Sequence, residues 1–245
     1  MGRVAVIGSS NTDMTVQVPR IPQPGETVLG GEFYMTGGGK GANQAVAAVR
    51  AGAEVAFVGR TGQDVFGQEA RERLDTEGID TTYLTETSET ASGVALIVVD
   101  QEGENAISVA PGANAALTPE DVESAEPALA VADVLLVQLE IPVETVAHAL
   151  RMGRNLGLTT ILDPAPARDL SEELLKRVSL VIPNELEAGA ITGYDGKTTE
   201  RCELAARRFQ ELGVTAVVIT RGPEGAYVAE GEERFRVPGL EVNPV

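Results

Sequence analysis

Short, uniformly apolar runs alternate along this chain with longer amphipathic ones. Val4–Ile7, Val55–Gly59, Val134–Leu139, Thr159–Leu162, Leu180–Ile182 and Ala216–Thr220 read as buried strands. Ala42–Ala51, Phe66–Glu77, Pro119–Ala130, Val143–Leu156, Ser171–Val178, Glu185–Thr192 and Thr198–Leu212 read as helices. Strands that lack polar alternation and are separated by amphipathic helices predict a parallel sheet covered by helices on both faces. Gly52, Gly78, Gly157 and Gly213 each follow a helix and precede a strand, where a left-handed capping residue belongs. The fold class is α/β, with a parallel or mixed sheet between helices.

Two stretches break this rhythm. Thr12–Val18 and Gly93–Val109 carry period-two or β-rich patterns, the second with Asp100-Gln101-Glu102-Gly103 as a hairpin turn. Pro19, Pro22 and Pro24 follow the first. Neither stretch suits the parallel sheet. Both read as a small β-sheet set apart from the main layer, a lid or a pairing surface.

Composition narrows the function classes. With 245 residues, 43% of them hydrophobic, the chain is long enough for one large core. The formal charge of −18 disfavours non-specific binding to nucleic acid or to an anionic membrane. A single cysteine, Cys202, excludes an internal disulfide framework and a multi-cysteine metal site. The only histidine, His148, falls in a helix and reads as a solvated residue, so a Ser-His-Asp triad and zinc chemistry lack support. Val4–Ile7 is too short for a signal peptide, and no apolar stretch is long enough to span a membrane. A cytoplasmic location is expected.

Polar residues gather where the predicted strands end. Gly8-Ser9-Ser10-Asn11-Thr12-Asp13, Arg60-Thr61-Gly62, Glu140, Asp163-Pro164-Ala165-Pro166, Pro183-Asn184-Glu185 and Thr220-Arg221-Gly222 all sit at carboxyl ends, the ligand-binding edge of an open α/β sheet. A further stretch, Thr36-Gly37-Gly38-Gly39-Lys40-Gly41-Ala42-Asn43-Gln44, leads straight into a helix. Its glycines allow close backbone approach, and a helix N-terminus favours oxygen-rich groups, so a polyol or a phosphate is the expected ligand. Gly41 follows Lys40 where a Walker A loop needs Ser or Thr, and Gly8-Ser9-Ser10-Asn11 lacks the later glycines of a dinucleotide fingerprint.

In these motifs the chain resembles the phosphofructokinase-B-type carbohydrate kinases, and within them the ribokinase branch, over its whole length. The resemblance is carried by Gly8–Asp13, by Pro24-Gly25-Glu26-Thr27 and by Gly38-Gly39-Lys40-Gly41-Ala42-Asn43-Gln44-Ala45. Gln138-Leu139-Glu140, Pro183-Asn184-Glu185-Leu186-Glu187 and Thr220-Arg221-Gly222-Pro223-Glu224-Gly225 follow in matching order and spacing. It implies one domain over residues 1–245, with a lid from about 12–35 and 91–110 that pairs two subunits into a homodimer. It also implies ATP-dependent phosphorylation of a sugar, most closely D-ribose at its 5-hydroxyl. Other sugars, deoxyribose and nucleosides remain open, as does a non-catalytic sugar-binding homologue.

By matching position, Asn11, Asp13, Gly39, Lys40, Asn43 and Glu140 would hold sugar hydroxyls, with Thr12, Gly38, Gly41 and Ala42 completing that surface. Carboxylates accept from hydroxyls, while amides and ammonium groups donate to them. Asn184, Thr220, Arg221, Gly222, Pro223, Glu224 and Gly225 would line ATP, and Glu187 would help to place Mg²⁺ through water. In the family a Thr-Gly-Ala-Gly-Asp-like motif follows the segment that Val237–Val242 matches. It supplies the catalytic aspartate, an anion hole and, in the ribokinase branch, a loop for a monovalent cation such as K⁺. All would fall past Val245. These 245 residues alone are therefore expected to expose apolar surface and to turn over poorly, whereas a version extended through that motif should be active. Turnover without it would point to Asp163 or Glu140 as the base.

Overall fold

The structure, a computed structural model, describes residues 2–240. In chain order its first strands are β1 (Arg3–Ile7), β2 (Asn11–Gln17) and β3 (Phe33–Gly38), followed by helix α1 (Lys40–Arg50). Next come β4 (Glu54–Gly62), α2 (Val65–Thr76), β5 (Asp80–Thr87), β6 (Gly93–Val99) and β7 (Asn105–Ala110). A 3₁₀ turn at Gly112–Ala116 leads to α3 (Pro119–Ser124), α4 (Glu126–Leu129), β8 (Val134–Val137), α5 (Val143–Asn155) and β9 (Thr159–Leu162). The chain continues through α6 (Glu172–Leu175), β10 (Leu180–Val181), α7 (Glu185–Thr192) and α8 (Thr199–Glu211). Strands β11 (Ala216–Thr220), β12 (Ala226–Glu230) and β13 (Glu233–Val237) complete the described elements.

The large sheet has the order β13-β12-β11-β10-β9-β8-β1-β4-β5, and a second sheet the order β3-β2-β6-β7. The α/β class expected from the alternation of short apolar and amphipathic runs is what the chain adopts. Parallel pairing joins β4 to β5, β8 to β9, β9 to β10 and β10 to β11. Gly52, Gly78, Gly157 and Gly213 all have φ between 79 and 100°, so the four helix-ending glycines adopt the left-handed conformation expected of them. No helix among the described residues is long and apolar enough to cross a membrane.

The chain forms two compact units. The first comprises Val6–Ala125 with Glu140–Pro142, and the second Arg3–Ala5, Glu126–Leu139 and the chain from Val143 onward. In the first, Ile7, Phe57, Leu84 and Leu117 are fully buried; in the second, Leu135, Leu150, Leu162 and Phe209 fill the core. The small sheet belongs to the first unit. Its central strand β2 pairs antiparallel with β3 and parallel with β6, in register Asn11 to Gly38 and Asn11 to Gly93. The two period-two stretches thus form the separate β-sheet that their pattern predicts.

Several boundaries depart from the sequence reading. The run Pro119–Ala130 is two short helices, broken at Ala125. Pro127 lies just past the break; it has no N–H to donate, and its ring would collide with the carbonyl four residues back. Helix α1 begins at Lys40 rather than Ala42, so Asn43 lies inside its first turn, and Gly39 is the N-cap. Strand β5 escapes the apolar pattern because it pairs with β4 alone at the sheet edge, where a Thr-rich strand loses little.

The antiparallel hairpin of β12 and β13 is a further addition. It is tied to α8 by Glu203, which accepts from the Tyr227 hydroxyl, from Arg207 at 2.5 Å and from Arg234 at 3.0 Å. The Tyr227 hydrogen bond, with help from the arginines, holds the Glu203 carboxyl down at about 2. A lowered carboxyl contributes stability above the unfolded value of about 4.3, and that contribution is lost as pH falls through the folded value. Glu203→Gln is therefore expected to lower stability by about 1–2 kcal/mol at neutral pH. The difference from the parent should shrink steadily between pH of about 5 and about 2, as followed by urea unfolding at a series of pH values.

Candidate functional site

In the first unit the residues singled out by the sequence gather around the start of α1. Lys40, Gly41 and Ala42 there offer backbone N–H groups that have no partner within the helix. The Lys40 N–H donates to Glu140 Oε2 at 2.9 Å, the Gly41 N–H to Ser9 Oγ at 3.3 Å and the Ala42 N–H to the Ser9 carbonyl at 2.8 Å. Ser9 Oγ in turn donates to Glu140 Oε2 at 2.5 Å. The helix end expected to receive a ligand oxygen is met by the chain's own carboxylate, which also suits the positive end of the helix dipole. Glu140 Oε1 is the carboxylate oxygen outside these bonds.

The glycines bring backbones within van der Waals range. Gly39 has φ 87°, and a Cβ there would lie 2.8 Å from the Asn11 nitrogen; one on Gly41 would lie 2.6 Å from the Ser9 nitrogen. A Cβ on Gly38 would come within 2.1 Å of Asp13 Oδ1. Strand β2 therefore runs tight against the segment that opens α1. Asn11 and Thr12 are buried, Asp13, Lys40 and Glu140 half-buried, and Asn43 exposed. The Thr12 hydroxyl oxygen is buried without a hydrogen-bond partner among the described residues.

Ser10, Gly38 and Asn43 also border a cleft of about 960 Å³ between α1 and α2, with Arg50, Glu69 and Arg73 along it. Burial, and then the charge of Glu140, push the Asp13 carboxyl above its ordinary value against the opposing pull of Arg73. One group here had no warning in its local sequence. Asn114, buried in the 3₁₀ turn, bonds to both Ser10 and Asn11.

The second unit holds the other group. Asn184 caps α7: its Oδ1 accepts from the Glu187 N–H at 2.9 Å, and Glu187 Oε2 accepts from the Asn184 N–H at 2.8 Å. An isolated parallel bridge sets Asn184 beside Thr220. Beyond Thr220, Gly222-Pro223-Glu224 forms a 3₁₀ turn closed by Gly225 at φ 86°. A Cβ on Gly225 would sit 2.0 Å from the Val237 carbonyl oxygen. The Arg221 side chain is buried and turned inward. It donates to the Gly196 and Lys197 carbonyls at 3.0 and 2.9 Å and pairs with Glu224 at 2.6 Å, while Gly222, Pro223 and Glu224 are exposed.

No group of three or more His, Cys, Asp or Glu able to hold a metal occurs among the described residues. Glu187 alone, with one oxygen committed to its capping box, suits a hydrated Mg²⁺ held through water rather than a directly bound ion. The end of the segment that Val237–Val242 matches, from residue 241 on, lies outside the described residues.

The ordered motifs and this fold agree with comparison to known proteins. The pfkB family carbohydrate kinase model matches residues 1–245. The chain belongs to the pfkB family of carbohydrate kinases. It is 40% identical over 233 residues to a ribokinase of Haemophilus influenzae, covering 95% of this chain and 76% of that protein. A deoxyribokinase of Salmonella typhi is 36% identical over 243 residues, 99% of this chain and 79% of that protein. The structure of Arabidopsis thaliana ribokinase complexed with ribose and ATP superimposes with a TM-score of 0.87 at 29% identity, over 97% of this chain and 78% of that one.

The raised Asp13 carboxyl has a consequence for stability. A carboxyl raised on folding favours the native state while protonated, and that advantage is lost as pH rises through the folded value. Ionised Asp13 therefore opposes folding at neutral pH, and Asp13→Asn, of the same shape, should raise Tm there. The gain should vanish below pH of about 3, where both states of the parent hold the proton. Scanning calorimetry at pH 7 and at acid pH checks both halves.

Proposed function

We propose that this pfkB-family kinase transfers the γ-phosphoryl group of ATP to the 5-hydroxyl of D-ribose, giving ribose 5-phosphate and ADP. The observation that carries this reading is the mixture of groups around the start of α1. Asp13 and Glu140 only accept, Lys40 and the Asn11 and Asn43 amides donate, and all come from segments that meet there. Two carboxylates repel a phosphorylated sugar but suit hydroxyls, each of which can donate to one and accept from a neighbouring amide. An uncharged polyol is the ligand that this set favours. Similarity to ribokinases, one of them described with ribose and ATP, supports ribose as that polyol.

In this reading Asn11, Asp13, Gly39, Lys40, Asn43 and Glu140 bind and orient the sugar, with Thr12, Gly38, Gly41 and Ala42 shaping the surface. Asn184 and Thr220–Gly225 bind ATP, mainly through backbone groups made accessible by Gly222 and Gly225. Mg²⁺, near Glu187 through water, would supply charge neutralisation at the phosphates. In the transfer the sugar oxygen bonds to the γ-phosphorus, the bond to the β-phosphate oxygen breaks, and the hydroxyl proton passes to a base. That base and a K⁺ loop are assigned to no residue in this sequence. The small sheet, with Phe33, Met35, Leu96, Ile107 and Val109 exposed, serves as lid and as the surface where two copies pair.

The similarity to deoxyribokinase favours one second reading, 2-deoxyribose in place of ribose. A site that hydrogen-bonds the 2-hydroxyl rejects the deoxy sugar strongly, so the two readings separate cleanly. The test is calorimetric titration with ribose, 2-deoxyribose and fructose, together with sugar-dependent ADP formation by the chain and by a version extended through the matching family segment. Ribose should bind best. Asp13→Asn and Glu140→Gln should each weaken it by about tenfold or more, with nucleotide affinity unchanged. Preference for 2-deoxyribose would transfer the assignment to that sugar, and indifference to all three would overturn it.

A further inference from the structure

Asn114 lies more than a hundred residues from the sugar-site segment Ser9–Asp13 in sequence and is 1% exposed. Its Oδ1 accepts from the Ser10 N–H at 2.9 Å, and its Nδ2 donates to the Ser10 carbonyl at 3.1 Å and to Asn11 Oδ1 at 2.7 Å. Bonded on both sides of the same residue, the amide has its orientation set. The oxygen must face the Ser10 N–H, so the NH₂ end must face Ser10 O and Asn11. Asn11 is thereby obliged to turn its own oxygen towards Asn114. Gly93 leaves room for this pair: a Cβ there would lie 2.2 Å from Asn11 Oδ1 and 2.3 Å from Asn114 Nδ2. Oδ1 of Asn11 is already committed to Asn114.

The turn that carries Asn114 is itself anchored. The Ala113 N–H donates to the Ala91 carbonyl at 2.8 Å, and Arg60 donates to the Ala116 carbonyl at 3.0 Å while pairing with Asp121 at 2.8 Å. Asn114 is therefore held from behind by groups that do not belong to the site.

We propose that Asn114 is a positioning residue that fixes the Ser10–Asn11 backbone and makes Asn11 a hydrogen-bond donor, not an acceptor, towards the bound sugar. This rests on the reading of Asn11 and Asp13 as sugar ligands. The sugar hydroxyl that faces Asn11 must then accept from it and give its own proton to an acceptor, and the nearby acceptors are the carboxylates Asp13 and Glu140. Specificity for a hydroxyl at that place follows from an amide whose orientation a third residue enforces.

The test is a double-mutant cycle on sugar affinity, measured by calorimetry with ribose and, separately, with ATP. Asn114→Ser removes the clamp. Asn114→Asp keeps its shape and its bond from the Ser10 N–H but loses both donor bonds, which guards against a variant that fails to fold. Each should weaken ribose binding about tenfold while leaving ATP affinity unchanged. In an Asn11→Ala background each should weaken ribose binding by clearly less than in the parent, because the amide that Asn114 orients is gone and only its hold on the Ser10 backbone remains. Losses that multiply in the combined variants, or ribose affinity equal to the parent's in Asn114→Ser, would overturn the assignment while leaving the sugar site standing. A parent chain that binds ATP but no sugar would remove the sugar reading itself, and this proposal with it.

Discussion

The carboxylate of Glu140 at the opening of α1 is the interaction on which the first unit's site depends. Residues 9, 40 and 140 are far apart in the chain, and the bonds from Ser9 Oγ and the Lys40 N–H to one carboxylate oxygen draw them together. Three backbone N–H groups that the helix cannot use are satisfied at once by Glu140 and Ser9. The charge sits where the helix dipole favours it. Without that carboxylate the Lys40 N–H would lose its partner and the helix start its anion, leaving the Gly41 and Ala42 bonds to Ser9 to hold α1 in place.

Close packing of backbones supplies the rest of that frame. Gly39 and Gly41 press against Ser9–Asn11, Gly38 against the Asp13 carboxylate, and Gly93 against the Asn11–Asn114 pair. At these positions a methyl group would land inside another atom's radius, so the missing side chains are what allow polar groups to converge so tightly. Convergence has an electrostatic consequence. Asp13, drawn into partial burial near Glu140, holds its proton more firmly than an ordinary aspartate, the expected mark of a group placed for contact rather than for stability.

The layered fold was legible because its signals are local. Apolar runs gave Thr159–Leu162 and Ala216–Thr220 to the residue, and the helix-ending glycines marked four chain reversals. The misses fell where local signals are weak. Strand β5 is polar because it is an edge, the β12–β13 hairpin mixes arginines among its apolar positions, and Pro127 interrupts an otherwise continuous helical run. The place of Asn11, Asp13 and Glu140 at strand ends was legible, and the structure brings them to the start of α1. Asn114 was not, since nothing near it in sequence indicates that a 3₁₀ turn will set it behind Ser10. The inward turn of Arg221 was equally hidden: an arginine in a glycine-rich loop reads as an anion ligand until its carbonyl partners are known.

Strand β3 is an outer strand of the four-stranded sheet, paired on one side only and exposed at every position before Gly38. Outer strands fray at lower free energy than inner ones, because they break a single ladder and bury little. Yet β3 ends at Gly38, against Asp13, and leads directly into the Gly39 cap of α1. The segment that leads into the site thus has little local stability of its own. Opening of that one peripheral strand would take the site apart while the rest of the first unit stays folded. A ligand that contacts both β2 and the start of α1 would draw its selectivity partly from holding that strand down.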